Sequence, residues 1–255
     1  MSRTLFSLCF TAVFIVGPAY ADRPQVAVDI APVHSLVAQV MEGVGVPDLI
    51  IQSGATPHEY SLRPSEATAL QNADLVFWVG PDLTPWLAEA LETLAPAAVL
   101  TSLLEVDGTI QLEFREDALF EAHDHSDHDD HDDHHDHGAH DPHAWLSPKN
   151  AMTWLDVIAG RLSAVDTINS DAYLANAASG RAAIEALIEE VEATLDPVRG
   201  REFIVFHDAY QYFETDFDFA ASGAISVSDA SDPSPARIAE IRGQVVEHRV
   251  VCVLA

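Results

Sequence analysis

Apolar residues recur along this chain in two alternating periods. Residues 25–30 alternate and predict a first strand, and residues 33–41 carry helical spacing that stops at Gly43. Residues 48–51 form a short buried-type strand that runs into the turn cluster SGATP. Pro64 opens a helix to about residue 72, since proline is well suited to a first-turn position. A strong strand over 73–79 is stopped by Gly80-Pro81, then a helix over 83–94 and a strand over 98–100 follow. Beyond a polar tract, Pro148 starts a helix to about residue 164. A longer helix over 170–195 has Ser170 and Asp171 as capping residues. Its period is carried by Tyr173, Leu174, Ala177, Ala183, Ile184, Leu187, Ile188 and Val191, with Gly180 as a weak point. At the standard rise it measures roughly 38 Å, long enough to join two lobes. The alternation then resumes: a strand over 202–206, a helix opened by His207, a strand within 217–225, a helix over 235–247 and a strand over 249–254. Strands alternating with helices indicate an α/β fold with parallel-type sheets. No internal repeat has a solenoid period.

The chain ends change this picture. Arg3, the apolar run over 5–16 and Ala19-Tyr20-Ala21 have the layout of a cleaved export signal, residues 1–21, with cleavage expected after Ala21. The run is too short for a membrane span, and Cys9 lies inside it without the setting of a lipid anchor. A soluble exported protein with no direct membrane anchor is expected. The formal net charge is −29 and becomes one unit more negative once Arg3 leaves. That balance excludes nucleic acid, whose binding needs a basic footprint. Cys252 then stands alone in an oxidising compartment, and the chain stops within the apolar run RVVCVLA. Both observations suggest a truncated second lobe, with the disulfide partner of Cys252 beyond residue 255.

Histidine is the chemistry-bearing residue. The tract over 117–140 places His123, His125, His128, His131, His134, His135, His137 and His140 among aspartates. It has no apolar face with which to build a core, but neutral imidazole is a preferred zinc ligand. A solvated spacer is the plain alternative. Neighbouring carboxylates raise imidazole pKa values, so protons would compete and metal would bind there weakly.

Three further histidines sit in ordered-looking surroundings. His58 lies in GATPHEY, His143 in DPHAWLSP and His207 at the end of FIVFH. Each stands at a strand end or a helix entrance, the edge where open α/β sheets bind ligands. Together they would make a nitrogen-rich site suited to zinc, with Glu59 or water in the fourth position. Asp141 and Pro142 are expected to shape the approach to His143. Any one of these histidines could equally be a hydrogen-bonded structural residue, as His34 is expected to be.

The stretches APVHSLVAQVMEGVG, GATPHEYSLRPSEATALQNADLVFWVG, HDPHAWLSPKNA, VFHDAYQYFE and VVCVLA, with the His/Asp loop, run over nearly the whole chain. In this order they resemble the ZnuA-like zinc-binding periplasmic receptors of ABC importers, within the cluster A-I solute-binding proteins. The resemblance implies two α/β lobes joined by a rigid long helix, with metal in the cleft between them. The lobes would be residues 22–165, including the loop, and 198–255, incomplete at its end, with 166–197 as the linking helix. It also implies the ligand set His58, His143 and His207 with Glu59 nearby, and a disulfide through Cys252. Manganese and iron relatives tend to carry a carboxylate in place of His207.

The function implied is capture of Zn²⁺ by a monomeric receptor and its delivery to a membrane permease driven by a cytoplasmic ATPase. The chain shows no phosphate-binding glycine loop of its own. Other readings are a manganese or iron receptor of the same kind, a periplasmic zinc buffer or chaperone acting through the loop, and a zinc hydrolase with Glu59 as base. The hydrolase reading lacks an HExxH pairing, so a non-enzymatic role is expected.

Overall fold

A computed structural model describes residues 23–115, 140–226, 233–247 and 250–254. The expected export signal, most of the His/Asp tract and His248 lie outside these residues, whereas His140 lies within them. The first sheet has four parallel strands in the order β2-β1-β3-β4: β1 Val26–Val28, β2 Asp48–Leu49, β3 Leu75–Trp78 and β4 Val99–Ser102. All residues of β1 and β3 are buried. Their continuous apolar runs are what a parallel sheet covered on both faces requires. The helices between these strands are α1 Ala31–Val40, α2 Pro64–Asn72 and α3 Pro85–Leu94. Helix α1 buries Val33, Val37 and Val40 along one stripe, and Gly43 turns the chain away at φ 78°. That left-handed conformation suits a residue without a Cβ.

After the undescribed segment come a 3₁₀ turn Ala144–Leu146, α4 Pro148–Val165 and α5 Ser170–Leu195. The Ser147 hydroxyl caps α4 by accepting the Asn150 N–H at 3.1 Å. At α5 the cap differs from expectation. Asn169 occupies it, and Asp166 does the bonding: it accepts from the Asn169 side chain and from the Tyr173 hydroxyl. Helices α1, α4 and α5 pack together. Tyr173, Ala177 and Gly180 are the buried positions of α5. Gly180 is a contact point: a Cβ there would lie 2.9 Å from Leu155 Cδ1 and 3.0 Å from the Gln39 side chain.

The second sheet has three parallel strands in the order β6-β5-β7: β5 Phe203–His207, β6 Ala224–Ser226 and β7 Cys252–Leu254. With it go α6 Gln211–Phe217 and α7 Pro235–Glu247. Against expectation, His207 closes β5 and the helix starts four residues later, because Asp208 still bonds across to Ser226 O. The two lobes differ greatly in core. The first has a large cluster around Phe77, Trp154 and Leu162, whereas the second relies on Phe203, Val205, Ala221 and Ala224. Cys252 is exposed and forms no disulfide among the described residues. No helix of the described residues is long and apolar enough to cross a membrane.

Candidate metal centre

Two loops and one strand end bring the three histidines to one place. His58 sits on the loop between β2 and α2, which Trp86 holds by donating its indole N–H to Pro57 O at 2.9 Å. The base of that loop is held by Glu66, whose carboxylate accepts from the Tyr60 hydroxyl and the Arg63 N–H, both at 2.8 Å. His143 immediately precedes the 3₁₀ turn before α4, and His207 is the last residue of β5. One ring nitrogen from each of the three lies within 4.8 Å of the others. Ring centroids are 5.7 Å apart for His58–His143, 6.0 Å for His58–His207 and 4.9 Å for His143–His207. His143 is buried, while His58 and His207 are half-buried.

Tetrahedral zinc with nitrogen bonds near 2.0–2.1 Å sets its ligand atoms roughly 3.3–3.4 Å apart. The three imidazoles therefore need to close by at most about 1.5 Å to share one ion. Their orientation is supported from outside the cluster. Asp141 Oδ1 lies 2.7 Å from His143 Nδ1 and also accepts the His143 backbone N–H at 3.0 Å. A carboxylate on Nδ1 fixes the tautomer and leaves Nε2 as the donor toward a metal. Asp141 thus does more than shape the approach to His143. Glu59, expected as a fourth ligand, is exposed and lies outside the converging group. His140 stands apart too, its backbone N–H donating to Asp82 Oδ2 at 3.2 Å. His34 bonds Pro47 O at 3.0 Å, in keeping with a structural role.

Sequence reasoning missed the residues that hold the second lobe against the first. The Tyr212 hydroxyl donates to Asp141 O at 2.8 Å and accepts the Leu112 N–H at 3.0 Å, with its ring inside the first lobe's core. Asp216 on α6 accepts from the Ser147 hydroxyl at 2.6 Å and pairs with Lys149 Nζ at 2.7 Å. Arg115 bridges Asp208 and Glu214, with 2.8 Å from Nη1 to Glu214 Oε2. Burial opposes the Arg115 charge, but the hydrogen bonds and charges of Glu214 and Asp208 outweigh it and hold its pKa above the ordinary value. At Asp208 burial dominates over Arg115, and Asp141 and Glu214 add repulsion, so its pKa is raised. The two directions reflect one cation shared between two carboxylates. The acidic and aromatic residues of HDAYQYFETD were the visible signal, but their partners are remote in sequence.

The family model described as "Zinc-uptake complex component A periplasmic" matches residues 26–255. The chain belongs to this family. It is 43% identical over 249 residues to the high-affinity zinc uptake system protein ZnuA of Paracoccus denitrificans, a match covering 92% of this chain and 76% of that one. The Yersinia pestis protein of the same name is 33% identical over 253 residues, covering 96% of this chain and 79% of that one. Among solved structures, Streptococcus pneumoniae AdcAII superposes with a TM-score of 0.71 at 20% identity, covering 90% of this chain and 79% of that one. A crystal structure of ZnuA gives a TM-score of 0.71 at 24% identity, over 89% of this chain and 79% of that one. At these identities the structures bear on the fold alone, and they agree with the two-lobed α/β architecture. This zinc-uptake family member gathers its histidine cluster from loops of the first lobe and the end of β5 in the second.

Proposed function

We propose that this chain is the receptor of a zinc importer. Exported to the periplasm and cleaved after Ala21, it captures Zn²⁺ with His58, His143 and His207 and passes the ion to an ABC-type permease driven by its ATPase. The convergence of three imidazoles from separate elements carries this reading. Zinc is the substrate, and no bond of it or of any other molecule is broken. An all-nitrogen donor set favours zinc over manganese, which prefers carboxylate and water oxygen. Copper would outbind zinc at such a site, so selectivity against it rests on geometry and availability. Glu59 would have to turn inward to take the fourth position, so water is the simpler occupant. The histidines over 123–140 serve as an accessory collector that raises zinc near the cleft.

The test is zinc competition against a chelator of known affinity, using the mature chain with residues 123–140 removed. One tight equivalent is expected, and it disappears in His207→Ala. A folded protein without any tight equivalent would move zinc binding to the histidine-rich segment and overturn the receptor reading.

A further inference from the structure

His58 and His143 belong to the lobe with the large core, but His207 comes from the small second lobe. Strand pairing sets the register of β5. On one side β7 pairs with Phe203, Ile204 and Val205. On the other side β6 pairs His207 with Ser226, its last residue. Phe206, next to His207, is 47% exposed. Polar contacts across the lobe boundary bear on where His207 stands relative to the other two imidazoles.

We infer that Arg115 is a positioning residue for the zinc site, fixing His207 through Asp208 and α6. Arg115 continues the chain of the first lobe beyond Leu112, whose N–H is bonded to the Tyr212 hydroxyl and whose carbonyl accepts the Asp141 N–H at 2.8 Å. Its guanidinium reaches across to two carboxylates of the second lobe. Nε donates to Asp208 Oδ2 at 3.2 Å, and Nη2 donates to Asp208 Oδ1. Nη1 and Nη2 donate to Glu214 at 2.8 and 3.1 Å. Such two-pronged contacts fix direction as well as distance, which a single ammonium does not do. Asp208 directly follows His207, and its own N–H is bonded to Ser226 O at 3.1 Å. Glu214 also accepts the Ala221 N–H at 3.2 Å, tying α6 to the segment that leads into β6. The three side chains are 18%, 9% and 5% exposed, so water does not substitute readily for a missing partner. Removing the guanidinium leaves two buried carboxylates facing each other across the lobe boundary, and the end of β5 moves with them.

This inference rests on the proposed zinc site, and the experiment separates the two. Zinc affinity by chelator competition and the visible spectrum of the Co²⁺-loaded protein are measured for the full chain and for Arg115→Met, Arg115→Lys and Asp208→Asn. Arg115→Met is expected to lose on the order of tenfold in zinc affinity, the size seen when outer partners of metal ligands are removed. Its Co²⁺ spectrum should change, because His207 no longer holds its place among the ligands. Lysine should restore only part of both, and Asp208→Asn should reproduce the spectral change with the Arg115–Glu214 pair retained. That variant keeps the test alive if Arg115→Met does not fold. Arg181→Met, which breaks the exposed pair with Asp156, should leave both readouts as in the parent. Unchanged affinity and spectrum in Arg115→Met and Asp208→Asn would overturn the inference, as would an affinity loss with an unaltered spectrum. If His207→Ala also binds like the parent, the ligand assignment itself has failed instead.

Discussion

Replacing Asp141 tests how far the zinc site depends on a residue that never touches the ion. Asp141 Oδ1 takes two hydrogen bonds from His143, one from the ring at 2.7 Å and one from the backbone at 3.0 Å. The pair is buried, with side-chain exposures of 5% for His143 and 3% for Asp141. With the carboxylate present, His143 carries its proton on Nδ1 and offers Nε2 to the metal as a basic lone pair. Asp141→Asn keeps the shape and one acceptor oxygen but removes the charge, so about a tenfold loss in zinc affinity is expected. Asp141→Ala removes orientation as well and should approach about a hundredfold, the upper end for lost outer partners. These losses correspond to roughly 1.4 and 2.8 kcal/mol. The Tyr212 hydroxyl bonds the backbone carbonyl of Asp141 and so survives both changes. The assay is chelator competition at pH 7.5 on protein lacking residues 123–140, with circular dichroism as a check on folding. Folded Asp141→Ala that binds zinc as tightly as the parent would refute the orientation argument. A loss equal in Asn and Ala would show that charge alone matters.

Three other outcomes follow from the same geometry. Burial pushes the Asp29 carboxyl up from 3.8 to about 7 despite N–H bonds from Val79 and Ile30. Its native form thus holds a proton more tightly than its unfolded form, and that contribution is complete below pH 3.8 and is lost as pH rises through 7. Urea unfolding should show stability falling across this window, by up to about 4 kcal/mol from this group alone, and Asp29→Asn should flatten the fall. Tyr212→Phe removes one donated and one accepted hydrogen bond at the lobe boundary and should lower unfolding free energy by roughly 1–3 kcal/mol in urea titration. Gly180→Val should cost about 1–3 kcal/mol in the same titration, since its side chain collides with Leu155 and Gln39. Gly180→Ala should cost less, because alanine regains about 1 kcal/mol of helix propensity.

Local signals in the sequence are clearest where a structural choice is made locally. Pro64, Pro148 and Pro235 each open a helix in the structure as expected, because the residue itself presets the first turn. The buried runs of β1 and β3 were legible for a similar reason: a central parallel strand has no polar face to show. The long helix was legible too, with Gly180 as its weak point, but the reason for a glycine there was not. Its purpose is close approach to α1 and α4, which no feature of its own neighbourhood reveals. The opening of α6 was also misplaced, since a cross-strand bond from Asp208 to Ser226 extends β5 through His207. The three histidines could be suspected singly, but only the tertiary fold, with α6 packed on α4 and the 3₁₀ turn, brings them together. Arg115 illustrates the limit most sharply. It stands 93 and 99 residues from its carboxylate partners, so no spacing rule could have joined them.

The placement of the three histidines on two lobes suits the proposed receptor role. A structural zinc site is closed by its ligands and holds the fold together, whereas the first lobe packs a large hydrophobic core of its own. Two of the proposed ligands stand on that lobe, and one of them, His143, is held by Asp141. The third, His207, stands on the second lobe, which Tyr212, Arg115 and Asp216 hold at the boundary through polar contacts. Buried hydrogen bonds and ion pairs of this kind fix geometry, and leaving one partner unpaired is costly, so the boundary holds His207 in place relative to the other two imidazoles. On the proposed reading the imidazoles close by up to about 1.5 Å to share one ion, and a fourth position left to water keeps one side of the site open for release.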